Sequence, residues 1–359
     1  MKNTRIPKLF YVGIDYHKRY SVVHVIDDAG QSVCQTRVHL NDRRLFQAIF
    51  LRLDGPCRVV FEACMNWCKL YDLLEPIPNI EQMTLAHPYK TRIIAEAQVK
   101  TDQIDARMLA VLLRADLIYK AHISSREARR QKDILRQRTF WVRMRTRLRN
   151  RVHRLLGAQV DLAVPEFSDL FGTKGMAYLR QLQLPAPADL LLRQDLDQLI
   201  ELERKIKELE ATVKAELARD AIQQRLESLP GVGPIISAVI ANEIDGIQRF
   251  LSPEKLCAYA GLAPTTDSSG GKTYQGRLMR HCNKWLRWAY VEAAWVAVGC
   301  DPYFKSFYSM QRLRGKKPNT AIIIVAKRLC RISYQLLTQN RDYEKRMFSP
   351  TAPRSGLAA

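Results

Sequence analysis

The stretch that decides the fold spans residues 10–39 and reads FYVGIDYHKRYSVVHVIDDAGQSVCQTRVH. Its β-branched and aromatic residues predict three strands, at Phe10–Ile14, Ser21–Asp27 and Ser32–His39. Asp27–Gly30 has the composition of a tight turn between the last two strands. Strands joined by a hairpin run antiparallel. The stretch therefore predicts the antiparallel beginning of a sheet.

Helices and further strands follow this beginning. The predicted elements are a helix at Asp42–Leu53, a strand at Arg58–Glu62, a helix at Trp67–Leu74, a strand near Met83–Ala86, a helix from Tyr89 and a helix at Arg107–Leu117. Antiparallel strands followed by alternating helices and strands are typical of RNase H-like folds. This is an analogy of fold alone, so the function has to be argued from a site.

Two long helical patterns form the middle of the chain. Ser125–Leu156 is rich in arginine, with apolar residues at roughly helical spacing. Leu192–Leu217 carries Leu, Ile or Val at steps of three or four residues, the pattern of a coiled-coil seam. The two segments predict an antiparallel hairpin or a dimerisation stalk.

The last third is predicted to be mostly helical. Leu229–Gly233 reads LPGVG and precedes a helical segment, as in a helix-hairpin-helix element, although a plain helix connection also fits. Pro264–Thr273 has the composition of a mobile loop. A basic helix with tryptophans is expected near Arg277–Val298, where it would bind nucleic acid or bury its aromatic side chains. A final helix is expected at Thr320–Gln339.

The charge balance indicates a polyanionic partner. The chain has 57 Lys and Arg residues against 36 Asp and Glu, a formal net charge of +21. Apolar runs such as Ala321–Ala326 are far too short to span a bilayer, so no membrane partner is expected. The eight cysteines form no CxxC pair, which argues against a zinc ribbon and favours reduced thiols in a cytoplasmic protein.

Four carboxylates stand out in this basic protein. Asp15 and Glu62 each close a predicted strand, and Asp102 and Asp105 lie three residues apart at a predicted helix start, on one side of the helix. Mg²⁺ prefers such hard oxygen ligands, with phosphate completing its shell. The four together predict a metal site that acts on a phosphodiester backbone.

Structural roles compete for each carboxylate taken alone. Asp102 could be the N-cap of a helix, and Asp105 could be a favourable negative charge in the first turn of that helix. Asp15 could be a turn-forming residue at the end of its strand. The two histidines near the candidate sites, His17 and His281, are interpreted as surface or structural residues.

A second candidate is a serine in the predicted loop. Ser268 and Ser269 lie near Lys272, Arg277 and Arg280, and nearby cations favour a nucleophilic serine. A flexible linker explains the same composition.

In combination these residues resemble the DEDD insertion-sequence transposases of the IS one-ten type, bridge-RNA-guided serine recombinases related to the pilin-gene invertases. The matching stretches are Val12–Asp15, Phe61–Ala63, Lys100–Ala110, Leu229–Gly233, Tyr259–Pro264, Ser269–Gly270 and Lys284–Arg287. They occur in the family's order and extend over residues 10–340.

The resemblance implies a RuvC-like domain at residues 8–124, a basic helix and coiled coil at 125–226, a transposase domain at 227–345 and a disordered tail at 346–359. It implies that Asp15, Glu62, Asp102 and Asp105 bind Mg²⁺ and that Ser269 forms a phosphoserine link to cleaved DNA. It further implies a homo-oligomer, dimer or tetramer, that acts on donor and target DNA with a noncoding guide RNA.

The chain departs from the family pattern at the serine, where Ser268 competes with Ser269; Ser269 is favoured because it directly precedes Gly270.

Three functions remain besides guided transposition. They are a RuvC-like nuclease that hydrolyses DNA with water, a DNA invertase without an RNA guide, and a nucleic-acid-binding protein with an inactive nuclease fold.

Overall fold

The computed structural model describes residues 8–94, 101–160, 162–217, 220–269 and 272–345. Within them the chain forms two compact units, divided between Ile123 and Ser124. Each is described here by itself. The predicted tail after residue 346 lies outside the described residues.

The first unit is a mixed six-stranded sheet with helices. Its elements are β1 (Phe10–Tyr16), β2 (Tyr20–Ile26), β3 (Ser32–His39), α1 (Arg43–Leu51), β4 (Cys57–Glu62), α2 (Trp67–Leu74), β5 (Ile80–Ala86), α3 (Pro88–Ile94), α4 (Asp102–Arg114) and β6 (Lys120–Ala121). The strand order is β3-β2-β1-β4-β5-β6. β1 is antiparallel to β2 and parallel to β4, and β5 is parallel to β4. The predicted antiparallel beginning and the helices and strands after it are confirmed.

The two faces of β1 pack on different layers. Phe10, Val12 and Ile14 belong to a core with α1 and α2 residues, whereas Tyr11 belongs to a core with α4 residues. Successive strand residues point to opposite faces. Asp15, two residues beyond Gly13 and four beyond Tyr11, is therefore on the α4 face.

The second unit is mostly helical. Its helices are α5 (Arg126–Gly157), α6 (Thr173–Gln181), α7 (Ala188–Leu217), α8 (Ala221–Glu227), α9 (Pro234–Ile244), α10 (Pro253–Tyr259), α11 (Lys284–Cys300), α12 (Pro302–Leu313) and α13 (Pro318–Gln339). A hairpin of β7 (Pro264–Ser269) and β8 (Lys272–Leu278) lies between α10 and α11. Among the described helices, none has the length and apolar character needed to cross a bilayer.

The arginine-rich helix and the periodic helix pair as predicted. Ion pairs join Arg138 to Glu210, Arg145 to Glu203 and Arg151 to Asp195. From the first pair to the last, the residue numbers rise along α5 and fall along α7. The two helices are therefore antiparallel. Leu192, Leu196, Leu199, Leu202, Ile206 and Val213 of the predicted seam are buried.

Two expectations for the second unit are wrong. The Pro264–Thr273 segment pairs as an antiparallel hairpin instead of forming a loop. The basic helix begins only at Lys284, capped by the Asn283 side chain, because residues 272–278 belong to β8. The helices α6 and α12 were not predicted.

The LPGVG segment does connect two helices, α8 and α9, as a helix-hairpin-helix element would. Gly231 has φ +81° and faces α11, where an added Cβ would lie 2.2 Å from the Ala293 carbonyl oxygen. A left-handed φ and this close approach both require glycine. Gly231 therefore brings the hairpin against α11, whereas the space around Gly233 is open.

A buried ionic cluster ties α5 to α9 and α11. The Glu243 side chain is 7% exposed and lies 3.6 Å from Lys132 Nζ and 3.2 Å from an Arg136 nitrogen. Asn283 Nδ2 donates to Glu243 at 2.8 Å, and Lys132 donates to Ser124 at 2.8 Å. Every charge in the cluster thus has a partner.

Glu243→Ala is expected to lower the free energy of unfolding by about 3–5 kcal/mol, because Lys132 would remain buried without its counter-charge. Denaturant melts measure the loss. The matched control is Glu254→Ala, which removes an exposed ion pair with Arg331 at 3.1 Å and should cost about 0–1 kcal/mol. Equal losses in the two variants would contradict the assignment.

Candidate metal centre

Asp15 and Asp102 come together at one edge of the first unit. Asp15 lies near the end of β1, and Asp102 is the first residue of α4. Both carboxylates approach the imidazole of His17, whose Nε2 is 3.0 Å from Asp15 Oδ2 and 3.5 Å from Asp102 Oδ2. Potential ligand atoms of the three residues all lie within 4.8 Å of one another.

The N-terminus of α4 is capped by Thr101. The Thr101 hydroxyl accepts a hydrogen bond from the Ile104 backbone N–H at 3.3 Å. Asp102 therefore does not serve as the N-cap, which corrects the structural alternative considered for it. Asp102 and Asp105 occupy the first turn, and Asp105 is close enough to raise the pKa of Asp15 by charge repulsion.

Glu62 ends β4 on the same face of the sheet. The parallel register pairs Ile14 with Phe61, which places Asp15 and Glu62 at adjacent strand ends. Val60, two residues before Glu62, belongs to the core shared with α4. With a side-chain period of two, Glu62 is on the α4 face and is exposed there.

The approach of α4 to the sheet depends on Gly13. A Cβ added at Gly13 would lie 2.0 Å from the Ala106 carbonyl oxygen and 2.7 Å from the Ala110 nitrogen. Both are backbone atoms of α4, and the Ala106 and Ala110 side chains are fully buried. The absence of a side chain at Gly13 thus sets how close α4, with Asp102, comes to β1.

Gly13→Ala is expected to displace α4 and to cost about 1–3 kcal/mol of unfolding free energy through overpacking. Displacement of Asp102 should also lower the affinity for a divalent cation, because Mg²⁺ demands near-ideal ligand geometry. Thermal melts and titration calorimetry with Mg²⁺ measure the two effects. Gly299→Ala is the control, since nothing lies within 4 Å of its added Cβ; a Gly13 variant that behaves like it would refute this account.

The electrostatics of the two aspartates differ. Burial raises the pKa of Asp15; His17 opposes this shift, and the charges of Asp102 and Asp105 add to it. The pKa of Asp102 is lowered, mainly by a hydrogen bond from the Tyr20 hydroxyl at 2.8 Å. Like charges held this close favour a cation between them.

The donor set fits a divalent cation. Asp15, Asp102 and Asp105 offer carboxylate oxygens close enough to affect one another, and the Asp102 side chain is 42% exposed and accessible. A groove of about 720 Å³ is lined in part by Asp102. The residues lining it are Val22, Gln35, Thr36, Arg37, Thr101, Asp102 and Gln103.

His17 and Tyr20 are the members of this cluster that the sequence interpretation missed. The sequence pattern favours a surface or structural role for His17, and it predicts a strand that begins only at Ser21, one residue after Tyr20. The available signal is their closeness to Asp15 in the sequence, with His17 in the β1–β2 turn and Tyr20 at the start of β2. The other predicted site residue, Ser269, ends β7 in the second unit, and its side chain lies outside the described part of the structure.

Comparisons with known proteins indicate the family of this chain. A family model described as a transposase with a DEDD domain matches residues 12–159, and the model of the IS116/IS110/IS902 transposase family matches residues 223–309. Together the two models match more than half of the chain.

Similar proteins support the same assignment. A probable family 20 transposase of Pseudomonas aeruginosa is 28% identical, covering 92% of this chain and 98% of its own. The transposase for insertion sequence element IS1328 of Yersinia enterocolitica is 24% identical over 95% of this chain and all of its own. A pilin gene-inverting protein of Moraxella bovis is 32% identical, covering 34% of this chain and 38% of its own. The chain therefore belongs to the IS110/IS116/IS902 family of transposases, enzymes that act on DNA.

Proposed function

We propose that the protein is a site-specific DNA recombinase of an insertion sequence, which cuts and rejoins DNA through a phosphoserine intermediate assisted by Mg²⁺. The observation that carries the proposal is the convergence of Asp15 and Asp102 from a strand and a helix, with Asp105 close by. This convergence lies within the segment that matches the DEDD transposase model.

The first unit supports a RuvC-like, RNase H-like domain. Three antiparallel strands, β1 to β3, lead into parallel strands connected by helices. The carboxylates lie at the strand ends and at the N-terminus of α4. In the proposed organisation this domain covers residues 8–124, the coiled coil 125–226 and the transposase domain 227–345.

In the proposed site, Asp15, Glu62, Asp102 and Asp105 hold the metal. When bound, Mg²⁺ supplies Lewis acidity toward phosphate oxygens and neutralises the charge that develops on them. The carboxylates keep the cation in place at the end of β1. Oxygen ligands are preferred by Mg²⁺, so the residue types support this ion.

The proposed nucleophile is Ser269, from its resemblance to the family serine. Its Oγ attacks a scissile phosphate, an Oγ–P bond forms, and the bond from phosphorus to the 3′ oxygen breaks. The serine proton leaves and the 3′ oxygen takes up a proton. Attack by a 3′ hydroxyl of the second DNA then reverses these steps, releasing the serine and joining the strands.

The proposed partners are donor and target DNA, a noncoding guide RNA, and further copies of the chain as a dimer or tetramer. The net charge of +21 supports polyanionic partners. The resemblance to bridge-RNA-guided recombinases supports the guide and the oligomer. Similarity to the pilin gene-inverting protein favours DNA inversion as the second candidate.

The test is to trap the protein–DNA link. The full chain is incubated with Mg²⁺, duplex DNA that carries the sequences flanking its gene, and RNA transcribed from those sequences, then quenched with denaturant and EDTA. Mass spectrometry should find DNA attached to a serine only when Mg²⁺ is present. Cleavage without an adduct would favour the water-using nuclease, and binding without cleavage the inactive nuclease fold.

A further inference from the structure

Tyr20 contacts Asp102, His17 and Arg37 beside the proposed metal site. Its hydroxyl donates to Asp102 Oδ2 at 2.8 Å. Its ring lies 4.7 Å from the His17 ring, centroid to centroid, and the Arg37 guanidinium carbon is 3.6 Å from the ring centre. Tyr20 thus connects the helix that carries Asp102 to the strands that carry Asp15.

The sheet register explains this position. β1 and β2 pair Asp15 with Val22, and β2 and β3 pair Val22 with Arg37. Residues opposite one another in antiparallel strands share a face, so Arg37, Val22 and Asp15 form a row on the α4 face. Tyr20 lies two residues before Val22 and therefore on the same face.

The backbone that carries Tyr20 is held firmly. The His17 N–H donates to the Tyr20 carbonyl at 2.9 Å, which closes the turn between β1 and β2. Asn41, only 4% exposed, donates from Nδ2 to the His17 carbonyl at 2.8 Å. Its Oδ1 accepts from the Ser21 hydroxyl at 2.6 Å. The turn is thus fixed from the β3–α1 connection.

We propose that Tyr20 is a positioning residue of the metal site, which fixes the orientation of the Asp102 carboxylate toward Asp15. The inference rests on the metal site proposed above. Asp102 is the more exposed of the two aspartates, 42% against 22% for the Asp15 side chain. Without the hydroxyl of Tyr20, the Asp102 carboxylate could rotate into solvent.

The physical effect is preorganisation. Mg²⁺ demands near-ideal octahedral geometry. A carboxylate that must first be ordered into that geometry therefore lowers the affinity of the site for Mg²⁺. Hydrogen bonds to ligating carboxylates orient them, and loss of such a partner typically costs 10- to 100-fold in metal affinity. The ring contacts with His17 and Arg37 hold the tyrosine in the position from which it donates.

The decisive variant is Tyr20→Phe, which keeps the ring and removes the hydroxyl. Titration calorimetry of the full chain with Mg²⁺ and with Mn²⁺ should give affinities about 10- to 100-fold weaker than wild type. The melting temperature without metal should not fall. The metal concentration for half-maximal cleavage should rise in parallel, and saturating metal should restore the rate.

Tyr119→Phe is the matched control. Tyr119 belongs to the same unit, is 51% exposed, and contacts Lys90 through its ring, which Phe retains. Its metal affinity should equal wild type.

Two results would overturn the inference in different ways. If wild type and Tyr20→Phe bind either ion within twofold of each other, while Asp102→Ala binds more weakly, the metal site stands and the positioning role is wrong. If wild type binds neither ion, the proposed metal site itself fails, and the role of Tyr20 fails with it.

Discussion

Asp102→Ala is expected to abolish DNA strand cleavage while leaving DNA binding nearly intact, and Asp15→Ala should behave alike. Removing either carboxylate dismantles the proposed cation site, whose transition-state stabilisation is worth several kcal/mol. Since 1.36 kcal/mol is tenfold in rate, the loss should reach about 10³-fold or more. Binding should persist because a carboxylate repels phosphate unless a metal lies between them.

Cleavage of labelled duplex in Mg²⁺, with binding measured by fluorescence anisotropy, checks this expectation. Glu81→Ala is the control, since it removes an exposed carboxylate of β5 whose ion pair with Arg58 spans 3.9 Å. That variant should cleave at the wild-type rate. Normal recombination by the Asp102→Ala variant in Mg²⁺ would show that the assignment of the metal site is wrong.

Ser269→Ala is expected to eliminate both covalent protein–DNA adducts and recombination. The serine oxygen is the atom that would bond to phosphorus, and alanine has no nucleophilic atom in its place. Metal binding and DNA affinity should remain, because the proposed cation ligands all belong to the first unit. Denaturing gels and mass spectrometry of quenched reactions measure the adduct.

Ser268→Ala is the neighbouring control and should be much milder. The comparison matters because both serines precede a glycine pair in this chain. An adduct mapped to Ser268 would reassign the nucleophile, and recombination by wild type without any adduct would remove the serine step altogether.

The parts of the fold that followed a clear periodicity were predictable from sequence. Runs of β-branched and aromatic residues predicted β1 to β4, and the three-to-four spacing of leucines predicted α7. The β7–β8 hairpin was not, because its small polar residues lack an apolar alternation and read as a loop. Pairing with β8 makes Pro264–Ser269 extended although the segment has no apolar pattern of its own.

The candidate site was predicted in part for a similar reason. Asp15 and Asp102 could be selected as carboxylates at element ends. Their closeness depends on Gly13, whose role follows from the packing of α4 and not from any local pattern. His17 and Tyr20 carry no motif of their own, and only the register of β1 and β2 brings them to Asp102.

The ion pairs that α5 makes with α7 and α9 change what the arginine-rich helix can contribute to DNA binding. Several of its cations are engaged by carboxylates of the same unit, namely Lys132, Arg136, Arg138, Arg145, Arg149 and Arg151. Each phosphate neutralised by a protein cation releases condensed counterions and adds about −0.9 to the slope of log affinity against log salt. A cation already matched by a carboxylate drives less of this release. The slope of DNA affinity against salt concentration will therefore depend on the cations of α5 that have no carboxylate partner. The slope will be smaller than the arginine content of α5 suggests.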